Sequence, residues 1–396
     1  MNRIVKVVQE LKPPLLMVLV QVAYTGNTLI AKLAISDGMS ISVYSAYRHI
    51  LGAAFTFLLA LIFERKNRPK LTWRVLVMTF FCGLFGGSLF QNLFFTAVAF
   101  VSATYANAIF NMIPVVTFIL SFLFGYEKLN LQSAAGKAKV MGTIIGVSGS
   151  MVLSFLKGVE INIWKNIHMN VMHKKENSRI GASDGRQWIG VLSGIGCCFS
   201  FSVWLIIQAK LSKEYPSHHS STSLMNLMAA IQATLFALCV EKNWNQWKLP
   251  SAIRVLAALY SAIAVTAFVN IVTSWCVRKR GPLYASVFNP LSLVLVAVAA
   301  ALLLQEKLYL GSVIGAMLIV CGLYMVLWGK SKEMKPPTDL ERELRTTEVV
   351  VMSANEKSDH VSSNVVNSKS NIVTKAHKGI FGNGDHEILK TIVERN

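Results

Sequence analysis

Tyr284-Ala285-Ser286-Val287-Phe288-Asn289-Pro290-Leu291 opens an apolar run that closes on Glu306-Lys307-Leu308, with 22 residues from Tyr284 to Glu306. Tyr105-Ala106 stands the same 22 residues ahead of Glu127-Lys128-Leu129. After each Glu-Lys-Leu comes a run with glycines four apart, Gly142 with Gly146 and Gly311 with Gly315. The chain therefore repeats a unit close to half its length. Glycines at this spacing let helices pack closely in lipid, and the repeat gives the pairs their weight.

Working outward from these runs, the acidic residues mark where the apolar segments stop. Before residue 331 they are Glu10, Asp37, Glu64, Glu127, Glu160, Glu176, Asp184, Glu214, Glu241 and Glu306, each at or near the edge of an apolar run. A membrane-spanning helix needs about 20 mostly apolar residues, and a charge at its centre costs roughly 2.5–3.5 kcal/mol on insertion scales. The intervals predict ten spans: 14–35, 40–63, 74–97, 101–124, 138–156, 188–208, 223–240, 254–276, 284–304 and 311–328. Short turns are expected near Ala99 and at Gly281-Pro282.

Composition agrees. Hydrophobic residues make up 53% of the 396 and charged residues only 15%, well below the roughly 25% of soluble chains. The net charge of +19 lies wholly before residue 331, because 331–396 holds 10 basic and 10 acidic residues. Basic residues confined to short gaps between apolar runs are membrane flanks and form no groove for nucleic acid. With the N-terminus in the cytosol, the cytosolic side collects 19 Lys and Arg and the opposite side 10, six of them in the long loop 157–187.

Five spans per half is an odd number, so the second copy is expected upside down relative to the first. The fold class is an all-α membrane protein of ten transmembrane helices in two inverted five-helix repeats. Its organisation is a cytosolic N-terminus (1–13), repeat 1 (14–156), a non-cytosolic loop (157–187), repeat 2 (188–328) and a disordered cytosolic tail (329–396). Inverted repeats characterise secondary transporters, with the solute site between the halves. The partners expected are a lipid bilayer and a small-molecule substrate. The six cysteines have no metal spacing, and no phosphate loop or nucleophile motif suggests an enzyme or a cofactor. A receptor or scaffold remains as a rival without flux.

Several motifs resemble one family. In the first half these are Gly26 with Lys32, Gly38-Met39-Ser40, Tyr47-Arg48, Arg68-Pro69-Lys70-Leu71-Thr72, Gln91-Asn92-Leu93, Ser102-Ala103-Thr104-Tyr105-Ala106 and Asn111-x-x-Pro114. In the second they are Trp275-Cys276, Phe288-Asn289-Pro290-Leu291 and Gly322-Leu323-Tyr324 through Lys330. Together they resemble the plant nodulin-21-like EamA transporters, or walls-are-thin-related family, of the drug/metabolite transporter superfamily. The resemblance covers about 1–333 and implies movement of amino acids or auxin-like indole acids across the plasma or vacuolar membrane. It departs at Gly125, where the family often has Arg. A nucleotide-sugar carrier of the same superfamily is the nearest alternative, and it calls for several cavity-facing Lys or Arg.

Polar stripes on the spans supply the candidate path. Gln21, Thr25, Thr28 and Lys32 share a face of the first span; Ser88, Gln91 and Asn92 cluster on the third; Thr104, Asn107 and Asn111 share a face of the fourth. Thr266, Asn270, Thr273 and Ser274 lie on the eighth, and Ser286 with Asn289 on the ninth. Ser and Thr are expected to bond their own helix backbone, whereas an amide is costlier to bury unpaired. Substrate-pathway candidates are Arg48, Gln91, Asn92, Tyr105, Asn107, Asn111, Trp204, Asn270 and Asn289. Pro114 and Pro290 are candidate helix breaks, since proline frees a carbonyl one turn upstream, and Glu127 and Glu306 are gating candidates at helix edges. No span carries a carboxylate or His near its centre, so transport is expected to be facilitated and not proton-driven. His49 is read as structural.

Overall fold

The structure, a computed structural model, describes residues 2–64, 70–101, 108–127, 132–156, 160–161, 187–303 and 308–334. Tyr105, Asn107 and Glu306 lie outside these residues, as does the tail beyond Met334. Ten helical segments follow in order. In the first half they are α1 Asn2–Ser36, α2 Ile41–Glu64, α3 in the consecutive runs Trp73–Gly83, Leu84–Ser88 and Leu89–Phe100, α4 Ala108–Leu123 and α5 Ala134–Phe155. In the second they are α6 Gln187–Glu214, α7 His218–Val240, α8 Ala252–Arg280, α9 in the runs Pro282–Ser286 and Asn289–Leu303, and α10 Leu310–Met334. Among the described residues nine of these are long and apolar enough to cross a bilayer, and α4 is the shorter tenth. A two-residue antiparallel ladder pairs Glu160–Ile161 (β1) with Leu308–Tyr309 (β2).

The apolar faces point outward. On α10, Ile314, Met317, Val320 and Tyr324 are exposed on one stripe, while Ile319 and Val326 are buried on the other. Only 28% of that helix's most apolar window is buried. Such a surface is stable against lipid and not against water.

The two halves interlock with opposite sense. A Cβ placed on Gly329 would lie 2.7 Å from the Ala135 carbonyl, one on Gly142 2.7 Å from that of Gly322, and one on Gly315 2.6 Å from the Leu153 backbone nitrogen. As α5 numbering rises, α10 numbering falls, so these equivalent helices are antiparallel along their length. The same holds for α2 and α7: Thr56 meets Asn226, and eight residues on Glu64 meets His219 and Ser220. Other contacts come in matching pairs, α1 with α8 and α6 with α3, α1 with α9 and α6 with α4. This is an inverted repeat.

Some boundaries differ from the sequence expectation, for physical reasons. Helix α7 starts at His218, five residues before the expected 223, because the Glu64 carboxylate of α2 accepts from the His219 and Ser220 amides at 3.0 and 2.8 Å. A carboxylate on the free amides of a helix start satisfies orphan donors and favours the dipole. The turn expected near Ala99 falls at Val101, which is extended. At Gly281 the chain turns as expected, with φ +90° that suits glycine.

Two features leave no mark in composition. Both α3 and α8, equivalent helices, contain a π-helical stretch, Leu84–Ser88 and Ser261–Val269. Such widened turns displace side chains and carbonyls from α-helical positions. At one end of the bundle Arg254 of α8 pairs with Asp37 after α1 at 2.8 Å, partly in solvent. At the opposite end lies a buried group of charges around Glu127.

Candidate functional site

The first span's polar stripe supplies the start of the site. Thr25 and Thr28 hydroxyls donate to the carbonyls of Gln21 and Tyr24 one turn back, at 2.8 and 3.0 Å. Thr56, Thr96, Thr143 and Ser212 do the same on their own helices. These hydroxyls are spent locally and leave the amides to face the interior.

Gln21 (1% exposed) and Asn289 (7% exposed) line one cleft between α1, α6, α8 and α9. Gln21 Nε2 and Asn289 Nδ2 have no hydrogen-bond partner among the described residues. A buried amide left unpaired costs about 1–3 kcal/mol, so two in one space mark a place where a solute or water completes them. The break in α9 at Val287–Phe288, one residue before Asn289-Pro290, starts a new helical run at Asn289. The cleft is narrow, with room for about one water, and has Met17, Val20, Phe201 and Leu205 as apolar wall and Tyr24 and Thr273 as polar complement. Among the described residues no charged side chain lines it. Amide nitrogen and oxygen exchange by a flip, so each group can donate to a carboxylate or carbonyl or accept from a donor.

The other expected residues fall in three places. Arg48, half-buried, donates from Nε to Thr266 Oγ1 at 3.1 Å, inside the widened turn of α8. Asn226 Nδ2 donates to the Thr266 carbonyl at 2.9 Å, and Asn270 Nδ2 to Asn226 Oδ1 at 2.9 Å. Arg48 and Asn270 are thus joined to one network across α2, α7 and α8, away from the cleft wall. Trp204 is packed over Gly86 with its Nε1 on the Met225 sulfur at 3.4 Å, and it stacks edge-on with Phe201. Asn111 is buried at a break in α4, just before Ile113-Pro114, while Gln91 is buried and Asn92 half-buried on α3. Pro114 and Pro290 both border a second narrow cleft, lined also by Gly142, Thr143, Gly146 and Gly322.

Sequence reasoning placed Gln21 on a stripe without choosing it, although its amide at the face shared by Thr25 carried the signal. His49, expected to be structural, is packed inside the bundle. It is 2% exposed on α2, near Gly87, and neither ring nitrogen has a hydrogen-bond partner among the described residues. Glu127 is buried between Lys139 of α5 and Lys330 of α10. Beside it, burial and then the Glu214 carboxylate raise the Tyr126 phenol above its usual value, while Lys213 lies 4.7 Å from the ring centre.

The EamA-like transporter family matches the chain twice, over residues 11–155 and 188–328, one match for each half of the inverted repeat. The chain belongs to the EamA-like transporter family. Of its relatives in Arabidopsis thaliana, WAT1-related protein At1g25270 is 37% identical over 359 residues, spanning 91% of this chain and 96% of the relative. WAT1-related protein At1g68170 is 40% identical over 320 residues, spanning 81% and 90%. A crystal structure with 16% identity superposes with a TM-score of 0.60 over 80% of this chain and 96% of its own, a likeness of fold alone. This EamA-like protein is an integral multi-pass membrane transporter, set in a lipid bilayer and acting on a small-molecule substrate.

Proposed function

We propose that this transporter is a facilitator of the nodulin-21-like group that moves amino acids or related small organic solutes, auxin-like indole acids among them, by alternating access. The observation that carries the reading is the pair of unpartnered amides, Gln21 and Asn289, facing one cleft from opposite halves of the repeat. One amide comes from repeat 1 and the other from repeat 2, so a rocking motion of the halves changes their spacing and the solute's grip together. The amides suit a carboxylate or carbonyl, and the Phe201, Leu205 and Met17 wall suits an apolar body. A nucleotide sugar needs cations for its diphosphate, and the cleft wall has none among the described residues. The Lys and Arg bias puts the Glu127 end in the cytosol, and the membrane is the plasma or vacuolar membrane of a plant cell.

The test is an uptake screen of labelled amino acids and indole acids in a yeast strain depleted of its own carriers. Saturable uptake of at least one of them, lost in the Gln21→Leu, Asn289→Leu double variant, supports the reading. Binding without flux for every solute tried supports a receptor instead.

A further inference from the structure

Four ionisable side chains meet at the end of the bundle that holds Glu127. Glu127 Oε2 is 3.1 Å from Lys139 Nζ, and Glu127 Oε1 pairs with Lys330 Nζ. Lys139 also pairs with Glu333. The order Lys330, Glu127, Lys139, Glu333 alternates in sign. The side chains of Lys139 and Glu127 are each 1% exposed and that of Lys330 9%. Two lysines that a sequence reader counts as membrane flanks are therefore drawn inward, away from lipid headgroups.

The four charges do not belong to one body. Lys139 stands on α5, Lys330 and Glu333 on α10, and those helices are joined backbone to backbone along their glycines. Glu127 reaches in from the turn after α4. Gly125 at φ +71° reverses the chain there, and the Tyr126 and Glu127 amides both donate to the Ser121 carbonyl. The α8–α9 turn closes over the same spot: a Cβ on Gly281 would lie 3.4 Å from Lys330 Nζ and 3.6 Å from Glu127 Oε1. From this turn descend the helices that carry Thr273 and Asn289 of the cleft. Parting α4 and the α8–α9 turn from the α5–α10 pair thus means pulling Glu127 off both lysines.

We infer that Glu127, Lys139, Lys330 and Glu333 form a latch that holds this mouth of the translocation path shut, with Glu127 as its movable bolt. The latch rests on the transporter reading above and adds the residues that hold one state. Charges separated from partners inside a low-dielectric site are strongly disfavoured, so the latch releases only when water enters with the opening. In Glu127→Gln, Lys330 loses its carboxylate and faces Lys139 as a like charge. That variant favours the open mouth.

Cys276 reports the opening, since its thiol is buried on α8 and faces the Pro13 carbonyl of α1 near this end. The full chain in lipid nanodiscs, with both faces in buffer, is treated with a water-soluble maleimide. Modification of Cys276 is followed peptide by peptide by mass spectrometry. Glu127→Gln is expected to speed it at least fivefold, and a charge swap of all four residues (Glu127→Lys, Lys139→Glu, Lys330→Glu, Glu333→Lys), which keeps the signs alternating, to return it to within twofold of the parent. Lys330→Met, which leaves Glu127 with Lys139, serves where Glu127→Gln does not fold and is also expected to speed labelling. Unchanged labelling in the folded single variants overturns the latch, and so does a charge swap that stays as fast as Glu127→Gln. Solute uptake by the same preparations is read separately. Faster labelling with no uptake even by the parent keeps the latch and removes the transporter reading. Uptake by the parent with unchanged labelling removes the latch alone.

Discussion

Asn270 donates its Nδ2 to Oδ1 of Asn226 at 2.9 Å, and Asn226 passes the link on to the Thr266 carbonyl in the π-helical stretch of α8. One amide thereby stitches α7 to two successive turns of α8, and its Nδ2 also approaches Thr56 of α2 at 3.4 Å. Hydrogen bonds between membrane helices average about 0.6 kcal/mol and reach about 1.7. Asn226→Ala is expected to lower stability by about 1–2 kcal/mol, measured by denaturant titration in detergent micelles. Asn270→Ala, which removes a single bond, is expected to cost less. Equal costs for the two would mean that Asn226 has no central place in the network.

The glycine contacts between α5 and α10 are unequal. A Cβ on Gly322 would lie 2.5 Å from the Gly146 amide nitrogen, whereas one on Gly146 would lie 4.0 Å from Gly322 Cα. Gly322→Ala is therefore expected to cost about 1–3 kcal/mol, the range for overpacking. Gly146→Ala is expected to be tolerated. Thermal unfolding of the two variants side by side checks this, and a reversed order would contradict the packing described.

Gln21→Leu and Asn289→Leu separate function from structure. Each removes a buried amide nitrogen that has no partner among the described residues, so the unfolding temperature is expected to hold or rise. Uptake is expected to fall at least tenfold. A drop in stability of the same order as the drop in uptake would assign both amides to folding.

The buried His49 offers a test of energy coupling. With no carboxylate in the middle of a described span, facilitated transport predicts that collapsing the pH gradient across proteoliposomes changes uptake less than twofold. His49→Asn is then expected to leave that insensitivity unchanged. Strong dependence on the gradient that disappears in His49→Asn would make the imidazole a proton carrier.

Much of the architecture was readable because the bilayer imposes simple rules. Asp37, Glu64, Glu214 and Glu241 fall at the ends of described helices, and the 22-residue spacing from Tyr105 to Glu127 and from Tyr284 to Glu306 announced the repeat. What stayed hidden was whatever depends on contacts far apart in sequence. The start of α7 is set by Glu64, more than 150 residues earlier. Lys139 and Lys330 look the same in a sequence whether they reach for headgroups or for Glu127. The widened turns of α3 and α8 add a residue per turn without any change of residue type. Of the candidate path, Asn289 lines the cleft, Arg48 and Asn270 belong to the neighbouring network, and Gln21 was seen only as one member of a stripe.

The ion pair between Asp37 and Arg254 differs in kind from the buried charges at the other end. Its carboxylate side chain is 37% exposed, within reach of salt ions, and exposed pairs contribute about 0–1 kcal/mol. Added salt is therefore expected to loosen the clasp beside Asp37 more than the buried group around Glu127.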